Sequence, residues 1–145
     1  MIRVREGAVL VDTNVLMYAA GAEHRHRSPS LEFLGAVSRG ESDAVINVET
    51  LQEVLYRYRS LGRWSDGLRV YDLARDLFPL VLPTTVEVMD RSRQLLDEVS
   101  GLMTRDAIHA AVVQEYGLDA ICSFDADFDA IPGLRRIEPG RDLLD

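Results

Sequence analysis

The apolar run Ala8-Val9-Leu10-Val11, stopping abruptly at Asp12-Thr13-Asn14, constrains this chain more than any other stretch. Four consecutive apolar residues with β-branched content and no polar alternation suit a strand covered on both faces, at the centre of a parallel sheet. Such a strand releases its first acid at its C-terminal end, the edge at which open α/β sheets bind ligands. Asp12 is therefore the first candidate site residue. A plainer reading stands beside it, because Asp is a good helix N-cap and Val15-Leu16-Met17-Tyr18 would make a first helical turn.

The rest of the chain alternates helix and strand signals. After a loop over 21–27, Ser28-Pro29 supplies a cap and a proline start for a helix that Gly40 ends. Ala44-Val45-Ile46 is a short strand running into Asn47, a capping residue, and a helix follows from Val48 to Ser60 with Val48, Leu51, Leu55 and Tyr58 as its apolar stripe. Ser65 opens a fourth helix. Leu80-Val81-Leu82 lies between two prolines as a third strand, and Thr84-Thr85-Val86-Glu87 reads as a capping box for a helix to about Val99. Thr104 caps a sixth helix running to Tyr116, Ala120-Ile121-Cys122-Ser123 is a fourth strand ending at another carboxylate, Asp125, and Arg136-Ile137 is a weak edge strand. Alternation of this kind predicts a four- to five-stranded parallel sheet flanked by helices, with the strand ends on one side. At 145 residues the length suits one core, so residues 1–145 read as a single domain.

Several function classes fall away. Hydrophobic residues at 47% and charged residues at 28% are an ordinary globular composition, and no apolar run approaches a membrane span. The N-terminus carries charges but no apolar stretch of signal-peptide length before Asp12, so the expected location is the cytoplasm. The single cysteine, Cys122, cannot form an internal disulfide, fits a reducing compartment and reads as a buried core thiol. A net charge of −8 argues against nucleic acid unless several acids hold a metal that presents positive charge to phosphate. All 16 basic residues are arginine, a choice that suits bidentate phosphate contact and fits genome composition equally well.

The acids differ in how much their positions alone imply. Asp12 and Asp125 both end strands, and on a parallel sheet they face one crevice. Asp106, in the first turn of the sixth helix, is stabilised by the helix dipole by about 0.3–1 kcal/mol even with no other role, yet helix N-termini share the edge of the strand ends. Glu53 points away from the assigned stripe, with Arg57 four residues on, so an exposed ion pair is its plain account; Glu49 lies on the same polar side. Asp127 and Asp129 follow Asp125 closely and either could hold metal through water. Thr13, Asn14 and Ser123 are small and polar, fit to orient carboxylates or waters. His24-Arg25-His26-Arg27 reads as a solvated basic loop ahead of a His-x-His metal pair, with phosphate contact left open, and His109, three residues after Asp106, could touch the site but reads first as a satisfied helix histidine. Tyr56-Arg57-Tyr58-Arg59 through Arg63-Trp64 mixes aromatics with arginine, as RNA-stacking and partner surfaces both do.

Taken together, Val11-Asp12-Thr13-Asn14, Leu51-Gln52-Glu53-Val54-Leu55, Arg105-Asp106-Ala107-Ile108-His109-Ala110-Ala111 and Ser123-Phe124-Asp125-Ala126-Asp127-Phe128 resemble, in order and spacing, the PIN-domain ribonucleases. The closest resemblance is to the VapC-type toxins of bacterial toxin-antitoxin pairs. It implies a PIN-like three-layer sandwich and a metal-dependent endoribonuclease with Asp12, Glu53, Asp106 and Asp125 as catalytic acids. Metal would sit on Asp12, Asp106 and Asp125, with Glu53, Thr13, Asn14, Ser123 and Asp127 further out or acting through water; the place of Glu53 rests on the resemblance. Oxygen ligands select Mg²⁺ or Mn²⁺ over zinc. The resemblance further implies RNA as substrate, 5′-phosphate and 3′-hydroxyl products, a cognate antitoxin partner, a homodimer and no membrane. A receiver domain or a dehalogenase-type phosphatase would need a lysine that this chain lacks. The remaining alternative is a catalytically silent PIN-like scaffold or dimerisation module, against which the retained acids count, since buried carboxylates are costly without a cation.

Overall fold

A computed structural model describes residues 2–142. The elements in chain order are β1 (Val9–Val11), α1 (Thr13–Ala20), α2 (Arg27–Ser38), β2 (Ala44–Asn47), α3 (Val48–Ser60), α4 (Trp64–Leu77), β3 (Val81–Leu82), α5 (Val86–Glu98), α6 (Thr104–Glu115), β4 (Ala120–Cys122), a 3₁₀ turn (Ala126–Ala130) and β5 (Arg136–Ile137). The five strands form one parallel sheet in the order β3-β2-β1-β4-β5. β1 is its middle strand and is buried on both faces, as its unbroken apolar run requires.

The sheet separates two cores. Val9 and Val11 face one, with Val15, Leu16, Phe33, Leu34, Val54, Tyr58 and Val70 from α1 to α4. Leu10 faces the other, with Val88 and Leu95 from α5, Phe128, and the alanine-rich face of α6. The three-layer sandwich is thus built from the pleat of single strands. Every residue of α6 from Asp106 to Val113 is buried; its small side chains let the helix lie close against the sheet and carry Asp106 and His109 inward with them. Among the described residues no helix is long and apolar enough to cross a membrane.

Pairing of Val11 with Cys122 and of Leu10 with Val45 sets the register. Asp12, Ser123 and Asn47 consequently leave the sheet together at one edge. Several local expectations are corrected. α2 begins at Arg27, with Pro29 inside its first turn and no side-chain cap from Ser28. Thr85, not Thr84, caps α5 by accepting the Val88 N–H, so the expected box with Glu87 does not form. Thr104 is the first residue of α6 rather than its cap, and α4 starts at Trp64, ahead of Ser65. The buried side of α3 is Thr50, Leu51, Val54 and Tyr58, while Val48 is exposed. The helix is therefore turned from the assigned stripe, because Gly67 of α4 receives the Tyr58 ring so closely that a Cβ there would lie 2.7 Å from Tyr58 Cβ.

Candidate active site

Asp12 is both the N-cap of α1 and the hub of the sheet edge. Its Oδ1 accepts the Thr13 N–H at 2.7 Å, and its Oδ2 accepts the Ser123 hydroxyl at 2.6 Å. The capping reading and the site reading thus meet on one carboxylate. Burial pushes its pKa up, opposed by His109 and by the Ser123 hydrogen bond. The Ser123 hydroxyl oxygen also accepts the Asp125 N–H at 3.0 Å and the Asn14 amide at 3.1 Å. One serine therefore ties Asp12, Asn14 and Asp125 into a single frame.

Across the cleft lies His109, for which contact with the site is the second reading of the sequence, behind an ordinary helix histidine. It is fully buried. Its Nε2 stands 2.7 Å from Glu53 Oε1 and 3.6 Å from Asp12 Oδ1, and its Nδ1 stands 3.0 Å from the Asn47 amide nitrogen. The Asn47 Oδ1 already accepts both the Thr50 N–H at 3.0 Å and the Thr50 hydroxyl at 2.9 Å, which turns its NH₂ towards the imidazole. Nδ1 must then accept, and the ring proton sits on Nε2, donated to Glu53. Burial opposes a charge on this ring, while Glu53, Asp12 and Asp106 favour one and raise its pKa; a second proton would require the Asn47 amide to turn away. The signal was present in the sequence as a histidine three residues after Asp106, one helical turn deeper.

Glu53 reaches this cluster because α3 is rotated from the expected stripe, which sets it one turn after buried Thr50, at the flank facing α6. The expected pair with Arg57 is replaced by the bond to His109. Glu49 is half-buried, its pKa raised by burial and by Glu53, but Glu53 is the acid bonded to His109. Asp106 is buried near the start of α6, and its pKa is raised to about 6 by burial, then by Asp12 and Asp125. Asp125 is half-buried and accepts the Asp127 N–H at 2.9 Å. Asp127 is exposed and shares with Asp106 a separate shallow hollow beside residues 99–103. Asp129 is taken by Arg136, bidentate at 2.9 and 3.1 Å.

The resulting cleft is lined by Asp12, Thr13, Asn14, Met17, Glu53 and Asp106, with Arg57 and Arg105 beside them. Those arginines place positive charge at the one point where an acidic chain would need it to meet phosphate. The Thr13 hydroxyl is buried without a hydrogen-bond partner. Carboxylate oxygens of Asp12 and Glu53 and a ring nitrogen of His109 lie within 4.8 Å of one another. Carboxylates crowded enough to raise one another's pKa are stabilised by a cation, and the only cysteine, buried in β4 with its thiol pushed upward, supplies no thiolate. With both His109 nitrogens engaged by Glu53 and Asn47, the donors left are carboxylate oxygens, a set that fits a hard divalent ion.

Replacing His109 with Ala should cost about 3 kcal/mol of stability, because it leaves the Asn47 amide unpartnered and the Glu53 carboxylate without its donor. Urea unfolding measures this, and an unchanged midpoint would show that the histidine fixes neither neighbour.

Comparison with known proteins gives the family and the fold. The family model described as PIN domain matches residues 9–134. Ribonuclease VapC13 of Mycobacterium tuberculosis is 32% identical over 129 residues, covering 89% of this chain and 98% of the relative. A chain of the VapBC2 structure from Rickettsia felis, solved with a DNA fragment of its promoter, superposes with a TM-score of 0.74 at 14% identity, covering 91% of this chain and 98% of that one. VapBC-5 of Mycobacterium tuberculosis, described as a member of the VapBC family of toxin-antitoxin systems, superposes with a TM-score of 0.63 at 18% identity, covering 92% and 98%. The chain belongs to the PIN-domain family and, within it, to the VapC-type ribonucleases.

Proposed function

We propose that the chain, acting as one domain over residues 1–145, is the toxin of a toxin-antitoxin pair and an endoribonuclease that hydrolyses RNA phosphodiester bonds in the cytoplasm with Mg²⁺ or Mn²⁺. The observation that carries this is the meeting of Asp12, Glu53 and Asp106, from three separate elements, in one arginine-flanked cleft. Asp12, Asp106 and Asp125 would hold the metal, with Glu53 beside them or acting through water. Such an ion supplies a water of lowered pKa and neutralises charge developing on the phosphate. The chain's own residues do the rest. Ser123 and the Thr13 N–H fix both oxygens of Asp12, His109 aims Glu53, and Arg57 and Arg105 hold the phosphate. Asn14 joins the frame through Ser123, and Asp127 would act only through water.

The antitoxin's seat is proposed on the groove of Gln52, Leu55, Tyr56, Arg59, Ser60 and Trp64, between α3 and α4. Tyr56 is 65% exposed there, and the Arg59 guanidinium lies 5.0 Å over the Trp64 ring, the composition of a partner anchor. Self-association is part of the same reading. Expression without antitoxin is expected to arrest bacterial growth, and Asp12→Asn to relieve the arrest at equal protein level. Harmless expression of soluble wild type that still cleaves RNA would remove the toxin assignment and leave the nuclease one.

A further inference from the structure

Beside the cleft, Tyr18, His24, His26 and Phe124 form a contiguous cluster of rings for which the acid chemistry has no use. The His26 and Phe124 rings stack with centroids 3.9 Å apart at 19°, and Tyr18 and His24 stack at 4.7 Å and 28°. Tyr18 meets Phe124 edge-on at 5.4 Å and His26 edge-on at 5.0 Å. We infer that this cluster is a nucleobase-stacking subsite that holds a base of single-stranded RNA next to the scissile phosphate. The inference rests on the ribonuclease reading and names the form of RNA it takes.

Its position is the first argument. Phe124 stands in the chain between Ser123 and Asp125, and its N–H donates to Asn14 Oδ1 at 3.5 Å. Tyr18 lies four residues after Asn14 on the same face of α1. Tyr18 and Phe124 are therefore fixed to the elements that carry Asp12 and Asp125, and His24 and His26 stack on them from the loop after α1. Exposure is the second. His24 is exposed and Tyr18, His26 and Phe124 are half-buried, so the cluster keeps open ring area although Phe124 also packs against the core. Its chemistry is the third: half of its rings are histidines, and His26 is kept neutral by burial and by the nearby Arg25. Neutral, partly open ring faces bind unstacked bases of any sequence. Duplex RNA offers no free base face, so the platform selects loops and single strands.

The test uses the full-length protein with Mn²⁺ and two labelled single-stranded RNAs, one intact and one with an abasic position beside the cleaved bond. Phe124→Leu and the double variant His24→Ala/His26→Ala remove stacking while an aliphatic or small residue preserves the fold. Each variant should raise KM for the intact RNA by roughly tenfold with kcat nearly unchanged. The abasic RNA should show the same loss with wild type and little further loss with the variants, a coupling that mere structural damage would not produce. Equal abasic penalties in wild type and variants would overturn the inference. So would variants that bind RNA as wild type does but fail to bind the antitoxin, since the rings would then belong to a protein partner. Anisotropy with the same RNAs in EDTA separates the two readings: wild type that binds through the rings there, yet does not cleave when Mn²⁺ or Mg²⁺ is supplied, would refute the nuclease and keep the subsite.

Discussion

Asp106→Asn is expected to abolish RNA cleavage, by a factor on the order of a thousand or more, while making the metal-free protein more stable at neutral pH. The two effects have one cause. In the folded state the Asp106 carboxyl is raised from 3.8 to about 6 by burial, Asp12 and Asp125. Well below pH 4 the group is protonated in both states and contributes nothing. As pH rises from about 4 to 6 the unfolded chain loses the proton first, so stability falls, and above about 6 the full cost is present. A shift of this size corresponds to at most about 3 kcal/mol, lessened by solvent at the open side of the cleft. Asn carries no charge and should recover that amount, worth several degrees in Tm, at pH 7.5 but not at pH 4. Urea unfolding in EDTA at the two pH values checks this. A variant less stable than wild type at pH 7.5 would mark Asp106 as a structural residue.

The second large effect is stabilisation by metal. With Mg²⁺ or Mn²⁺ held by the folded cleft, as proposed, and scarcely by the unfolded chain, stability should rise with metal as RT ln(1 + [L]/Kd). At a hundredfold excess over Kd the gain is about 2.7 kcal/mol. Mn²⁺ should act at least as strongly as Mg²⁺, since it ranks higher as a carboxylate binder. The gain should shrink near pH 5, where protons compete for Asp106. It should vanish in the triple variant Asp12→Asn, Asp106→Asn, Asp125→Asn, and Glu53→Gln should weaken it only in part. A Tm indifferent to millimolar Mg²⁺ and Mn²⁺ would leave the acids without a cation and favour a silent scaffold.

The sheet was legible because strand burial and strand ends are written in short, contiguous signals. The run into Asp12 placed β1 at the centre of the sheet, and Asn47 was recognised as the cap it proves to be, accepting the Thr50 N–H. Even the two-residue β5 was foreseen at Arg136 and Ile137. Helix rotation was less legible. The stripe assigned to α3 included Val48, but the Tyr58 to Gly67 packing turns the helix, and that contact belongs to two helices rather than to one. The same rotation is what brings Glu53 to His109, so its role could be taken only from resemblance. His109 was ranked as a helix histidine ahead of a site residue because its partners, Asn47 and Glu53, lie 62 and 56 residues away. Long-range hydrogen bonds leave no periodic trace. Caps failed where two adjacent threonines competed, since Thr84 and Thr85 offer the same chemistry and the backbone decides between them.

The central claim is that these acids form a metal-dependent centre for RNA hydrolysis, and single-turnover cleavage of end-labelled single-stranded RNA by the purified protein tests it most directly. The expected result is cleavage with Mn²⁺ or Mg²⁺ to 5′-phosphate and 3′-hydroxyl ends, arrest by EDTA, recovery when metal is restored in excess, and no cleavage by the Asp106→Asn protein prepared in parallel. Cleavage that persists in EDTA or in Asp106→Asn, or its absence from folded wild type with either metal, would contradict the account.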